Sequence, residues 1–215
     1  MGVKVRERKG TYRYLAVGSL ILLFHISMAV SGFGGQFEDA TAAYERGDYA
    51  TAFRLMKPLA EKGDAKAQHN LGVMYDYGRG VPQDYTKALK WYRMSAEHGI
   101  PEAQHNLGLM YYQGQGVPQN YAEAAKWYRR AAEQGMADSQ VNLGIMYYHG
   151  QGVSRDYVLA HMWLNLAASQ YPASVRENLN DAVHYRDIVN SLMTPAQIAE
   201  AQRLARQWKP KKEGK

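Results

Sequence analysis

A chain of 215 residues with 46% apolar content can bury a sizeable core, and its formal charge of +6 raises the question of a polyanionic partner. That charge lies at the ends: residues 1–31 hold five Lys/Arg against Glu7, residues 203–215 hold six against Glu213, and residues 32–202 are left with 15 against 18, a net −3 that offers no broad basic surface for nucleic acid. The absence of cysteine excludes disulfides, thiol nucleophiles and thiolate metal sites.

The chain opens with Lys4, Arg6, Arg8, Lys9 and Arg13, followed by the apolar run Leu15 to Val30 and then small residues. A basic stretch, an apolar stretch and small residues at the −3 and −1 places read as an export signal over residues 1–31, cut after Ser31 or after Ala29. The alternative is an uncleaved N-terminal anchor, although the apolar run is shorter than the ~20 residues that span a bilayer. No cysteine follows the run and no Arg-Arg pair precedes it, so neither a lipoprotein nor a twin-arginine signal is expected.

From Glu38 the segment through Asp64 reads as a short helical hairpin with a tight turn at Gly47 and Asp48. Pro58 falls in its second helix and is expected to kink or shorten it. Then AQHNLGVMYDYGRG (Ala67 to Gly80) returns as AQHNLGLMYYQGQG (Ala103 to Gly116) and SQVNLGIMYYHGQG (Ser139 to Gly152), a spacing of 36 residues. A fixed period of this length is the signature of a stacked array.

Each unit of residues 65–170 reads as two helices. The first follows the N-cap Asp64 with Ala67, Leu71, Met74 and Tyr75 on one face and ends at Gly78; in the next copy Pro101 and Glu102 occupy the first turn. Gly72, Gly108 and Gly144 sit inside this helix, each costing ~1 kcal/mol of propensity, and are expected to let the two helix backbones approach. The second helix follows Asp84 with Tyr85, Ala88, Trp91, Tyr92 and Ala96 facing inward and ends before Gly99. Past Trp163 the register is lost. Val175, Leu179, Ala182, Val189 and Met193 mark a longer helix, and Thr194-Pro195-Ala196-Gln197 is a capping box opening a last helix with Ile198, Ala201, Ala205 and Trp208 on one side. These two helices, within residues 172–209, suit a cap over the last unit's core, with residues 210–215 a basic, solvated tail.

The pattern A-x-x-x-L-G-x-M-Y-x-x-G-x-G-V, then D/N-Y-x-x-A-x-x-W and an alanine-rich end before glycine, resembles the Sel1-like repeat family, relatives of tetratricopeptide repeats with a longer internal loop. The resemblance covers residues 38–170, one degenerate unit and three well-matched ones. It implies an all-α, right-handed α-solenoid of helix-turn-helix repeats closed by a C-terminal capping helix pair. It also implies an adaptor that holds protein or peptide partners on its concave surface.

No zinc-peptidase, penicillin-binding or α/β-hydrolase signature is present, and the Gly-x-Gly of each loop follows a helix rather than a strand, which makes it a turn. The expectation is a non-enzymatic protein without cofactor or metal. His69 and His105, equivalent in successive copies, read as surface or partner-contact residues, since no third ligand recurs beside them. The positions left free by the framework are Lys66, His69, Val73 and Asp76, then Glu102, His105, Leu109 and Tyr112, then Asp138, Val141, Ile145 and Tyr148. This strip is either a peptide groove or a solvated face with some packing between units. As a groove its candidate contacts are His69, Val73, Asp76, His105, Leu109, Tyr112, Ile145 and Tyr148. The partner expected is a protein or extended peptide and not nucleic acid, with membrane contact only through an uncleaved N-terminal segment. The location expected is periplasmic or secreted, or else anchored at the inner membrane. A cell-envelope enzyme or accessory related to peptidoglycan or β-lactams is the alternative class.

Overall fold

A computed structural model of the chain describes residues 33–171 and 176–211. The expected export segment, Val175 and residues 212–215 of the tail lie outside the described residues. The described residues form helices and no strand: α1 (Phe33–Glu45), α2 (Tyr49–Glu61), α3 (Ala65–Tyr77), α4 (Tyr85–Glu97), α5 (Pro101–Gln113), α6 (Tyr121–Glu133), α7 (Ala137–His149), α8 (Tyr157–Gln170), α9 (Arg176–Ser191) and α10 (Pro195–Gln207). Each helix from α1 to α8 packs on the next in sequence, which is the neighbour-only connectivity of an α-solenoid.

The helix ends follow the turn chemistry of the sequence. The side chains of Asp48, Asp64, Asp84, Asn120 and Asp156 accept from backbone N–H groups three residues on, at 2.8–3.1 Å. α10 opens with the full capping box of Thr194 and Gln197 and with Pro195 at its first position. α1 begins at Phe33, five residues ahead of the expected Glu38, because Phe37 packs on the Ala40 and Met56 cluster and extends the apolar face upstream. Pro58 does not shorten α2, which runs 13 residues like the helices after it; its ring lies on the exposed side, away from the core.

Two expectations about packing change. A Cβ at Gly72 would stand 2.5 Å from a ring carbon of Tyr92, and one at Gly108 would stand 2.8 Å from a ring carbon of Tyr128. As expected, a side chain at these positions would collide with the second helix of the same unit, but at Gly72 and Gly108 a tyrosine ring fills the space; at Gly144 Leu164 fills it, and the carbonyl oxygen of Ala160 comes within 3.2 Å of where a Cβ would stand. Trp91, expected in the core, is only half-buried, whereas Trp127 and Trp163 are each 6% exposed. Trp91 lies over the degenerate first unit, which contributes a smaller neighbour cluster.

Successive units are joined by two devices that use backbone. At Gly80 the left-handed φ of 76° requires glycine, and a Cβ would lie 2.3 Å from the carbonyl oxygen of Tyr49 at the start of the preceding unit's second helix. Gly116 and Gly152 make the same contact with Tyr85 and Tyr121. Deeper in, the buried side chains of Gln68, Gln104 and Gln140 donate to Ala60 O, Ala96 O and Ala132 O at 3.1–3.2 Å. Each thereby satisfies a carbonyl at the end of the helix before it. Gln134 and Gln170 then donate to the side-chain oxygens of Gln104 and Gln140, both at 2.8 Å. One unit earlier His98 holds that place, and Gln68 Oε1 has no hydrogen-bond partner among the described residues.

At the C-terminal end α9 packs on α8 and reaches α7, and α10 packs on α8. α9 buries Ala182 and Val189, and α10 buries Ala201. The Trp208 ring meets Trp163 edge to face at 6.2 Å. The tail turns back at this point: Lys211 N donates to Glu133 O at 2.8 Å and its ammonium pairs with the Glu133 carboxylate at 3.0 Å.

Candidate functional site

The strip left free by the framework forms one continuous side of the first helices α3, α5 and α7, bordered by α1 at one end and α9 at the other. Four cavities lie along it. An apolar one of about 350 Å³ is lined by Tyr44, Met56, His69 and Val73, and a second of about 280 Å³ by Phe37, Lys66, His69 and Glu102. A third of about 230 Å³ takes Leu109, Tyr112, Ile145 and Tyr185, and a fourth of about 260 Å³ takes His105, Asp138, Val141 and Asp181.

The two histidines are packing groups turned toward the following unit. Asn106 Nδ2 lies 3.1 Å from His69 Nε2, and Ser139 Oγ lies 2.8 Å from His105 Nδ1. Their rings tilt against Tyr92 and Tyr128 at 5.8 and 5.5 Å. Burial holds both below the ordinary histidine value, only partly offset by Glu102 near His69 and by Asp138 near His105. Both rings are therefore neutral at pH 7. Among the described residues no three His, Asp or Glu side chains converge as a metal site would require.

Asp76 accepts from the Tyr92 hydroxyl at 3.1 Å; burial raises its carboxyl above the usual range, with the tyrosine hydrogen bond opposing. Val73 and Leu109 are half-buried and face cavities. The Tyr112 hydroxyl lies 3.4 Å from Gln151 and its ring stands 5.2 Å from Tyr121. The third-copy residues are placed differently. Tyr148 stacks between Tyr157 and Tyr185 at 6.2 and 6.4 Å, and Ile145 faces the cavity that Tyr185 helps to close. The structure thus places His69 and Val73 on cavities that α9 does not line and Asp76 against Tyr92, while Leu109, Tyr112 and Ile145 share a cavity with Tyr185 of α9, His105 shares one with Asn178 and Asp181, and Tyr148 meets Tyr185.

Sequence reasoning missed the border residues. Tyr44 on α1 and Tyr171, Asn178, Asp181 and Tyr185 at and on α9 enter the cavities from outside the 36-residue register. Tyr171 and Asn178 donate to Asp138 Oδ1 at 2.5 and 3.0 Å, fixing α9 to α7. A sequence signal did exist for Asn70, Asn106 and Asn142, which recur in all three copies outside the apolar framework. They line the cavities or hold the histidines.

The Sel1 repeat model matches residues 35–64, 65–100, 101–136 and 137–171. The chain is similar to the proteins named DAP3-binding cell death enhancer 1 of Rattus norvegicus and Mus musculus, each 39% identical over 70 residues, or 32% of this chain and 13% of theirs. It is similar in structure to a protective antigen of uropathogenic Escherichia coli strains displaying an SLR fold, with TM-score 0.71 and 36% identity, over 81% of this chain and 37% of that one. A Sel1 repeat protein from Oxalobacter formigenes matches with TM-score 0.62 and 29% identity, over 79% of this chain and 74% of that one. The chain spans about an eighth of the length of the rodent proteins and little more than a third of the E. coli antigen. Sel1 repeats act as scaffolds for protein–protein interaction. With four consecutive units matched over more than half its length and the same solenoid observed, the chain belongs to the Sel1 repeat family.

Proposed function

We propose that this protein is an exported adaptor that holds a protein or an extended peptide along the first-helix strip, with no catalysis of its own. The observation that carries this reading is the row of cavities on α3 and α5. There half-buried Val73, Leu109 and Tyr112 supply apolar and aromatic anchors inside a rim of Lys66 and Glu102. The rodent relatives are named for binding another protein, which supports a binding role for the repeats they share with this chain. Export rests on the basic, apolar and small-residue order of residues 1–31, and places the strip in the periplasm or outside the cell.

The test is a photo-crosslinking amino acid placed at Val73 or Leu109, with Thr86 on the opposite side of the array as control, in cells carrying the full chain. A discrete protein captured from the first two positions and not from the third supports the strip. Capture from Thr86 alone, or none from Val73 and Leu109, overturns it. N-terminal sequencing of the envelope-fraction protein reads the export step: a start at Gly32 or Val30 marks cleavage, and an intact Met1 marks an anchor.

A further inference from the structure

The two layers of the array carry opposite charge. The first helices of the four units, α1, α3, α5 and α7, hold one lysine against six carboxylates, net −5; the second helices, α2, α4, α6 and α8, hold eight Lys/Arg against four glutamates, net +4. The near-neutral count over the body of the chain averages these two layers and hides them. The positive charge is also ordered. Arg54, Lys90 and Lys126 stand at the same place in successive units, and Lys57, Arg93 and Arg129 stand one turn further along the same helices. The spacing of three residues puts both rows on one face. Five of the six are exposed, and Arg129 is half-buried.

Their partners leave the charge in place. Arg93 and Arg129 donate to the neutral hydroxyls of Tyr111 and Tyr147, which fixes the guanidinium groups without neutralising them. Lys90 and Lys126 lie over the rings of Trp91 and Trp127 at 5.5 and 5.8 Å. Lys126 also approaches Glu123 at 3.5 Å, and Lys57 approaches Glu61 at 3.8 Å; both are exposed pairs that solvent screens.

We propose that this second-helix side is a docking surface for an anionic phospholipid bilayer. The four cavities described above lie along the first-helix side, and none of them is lined by a residue of the basic rows. A protein partner is held by anchors that fill pockets, whereas mobile phosphodiester headgroups gather under a regular grid of long cationic side chains. The half-buried Trp91 indole under Lys90 is the ring type that settles at the headgroup boundary. Docked this way, the array lies along the membrane with its acidic strip facing away, open to the protein partner. The lipid contact stands independently of the strip's role.

The test is co-sedimentation of the full chain with vesicles of phosphatidylcholine alone and with added phosphatidylglycerol, in 0.1 M salt. The basic residues of the N-terminal segment and of the C-terminal tail also favour anionic vesicles, so the ridge is read from the change in the ratio on substitution and not from the ratio of the unsubstituted chain. Replacing Arg54→Gln, Lys90→Gln and Lys126→Gln together is expected to lower the preference for anionic vesicles by about fivefold per charge removed. The control Gln36→Glu, Lys66→Gln and Gln113→Glu makes the same charge change on the other side and is expected to keep the preference. Should the triple ridge variant melt early, Lys90→Gln alone gives the same reading at about fivefold. A ridge variant that keeps the wild-type preference, or an equal loss in ridge and control variants, overturns the proposal. So does a wild-type chain with no preference for anionic vesicles, which would leave the ridge to an acidic protein.

Discussion

Gly72 illustrates how a residue that weakens its own helix stabilises the fold. Alanine there would gain about 1 kcal/mol of helix propensity. It would also place a methyl 2.5 Å from the Tyr92 ring, which is fully buried and has nowhere to retreat. Overpacking of this kind costs about 1–3 kcal/mol. Gly72→Ala is therefore expected to lower stability in denaturant titration despite the better helix former, and Gly108→Ala against Tyr128 to do the same. The histidines give the pH dependence. Burial depresses His69, His105 and His161, so the unfolded chain binds their protons near pH 6.5 while the native rings stay neutral. The unfolded state then holds more protons, and stability is complete above about 6.5 and falls as pH drops below it, by up to ~1.4 kcal/mol per pH unit for each histidine. Asp76, raised by burial, works in the opposite sense and in a more acidic window. Thermal melts between pH 7.5 and 5 check the slope, and His105→Gln is expected to flatten it.

At the scale of the element, the helices were legible wherever turn chemistry repeats: Asp64, Asp84 and Pro101 mark starts, and Gly78 and Gly99 mark ends, because capping is decided locally. What was not legible depends on neighbours distant in sequence. The half-exposure of Trp91 follows from the small first unit, and the course of α9 across α7 rests on the Tyr171 and Asn178 bonds to Asp138, outside any period. The strip was half legible: its open part came from residues the framework leaves free, while Tyr148 is taken up by Tyr185 of α9. The glutamine ladder shows where the array is incomplete. His98→Gln would let a side-chain amide reach Gln68 Oε1 as Gln134 reaches Gln104, and is expected to raise stability by about 1 kcal/mol in the same titration.

For the described array as a whole, the net charge of residues 32–202 gave the wrong impression, since opposite layers cancel in a sum while standing on separate sides of the molecule. Reading the columns at a spacing of 36 would have exposed Arg54, Lys90 and Lys126 from sequence alone. The loop joint carries a different consequence. Gly80, Gly116 and Gly152 grip the preceding unit through its main chain, at Tyr49, Tyr85 and Tyr121, so the fit ignores which side chains that unit displays. A coupling that is indifferent to surface identity makes the middle units interchangeable cassettes: their outward residues are free to diverge and their copy number to change, and the joint is the same each time.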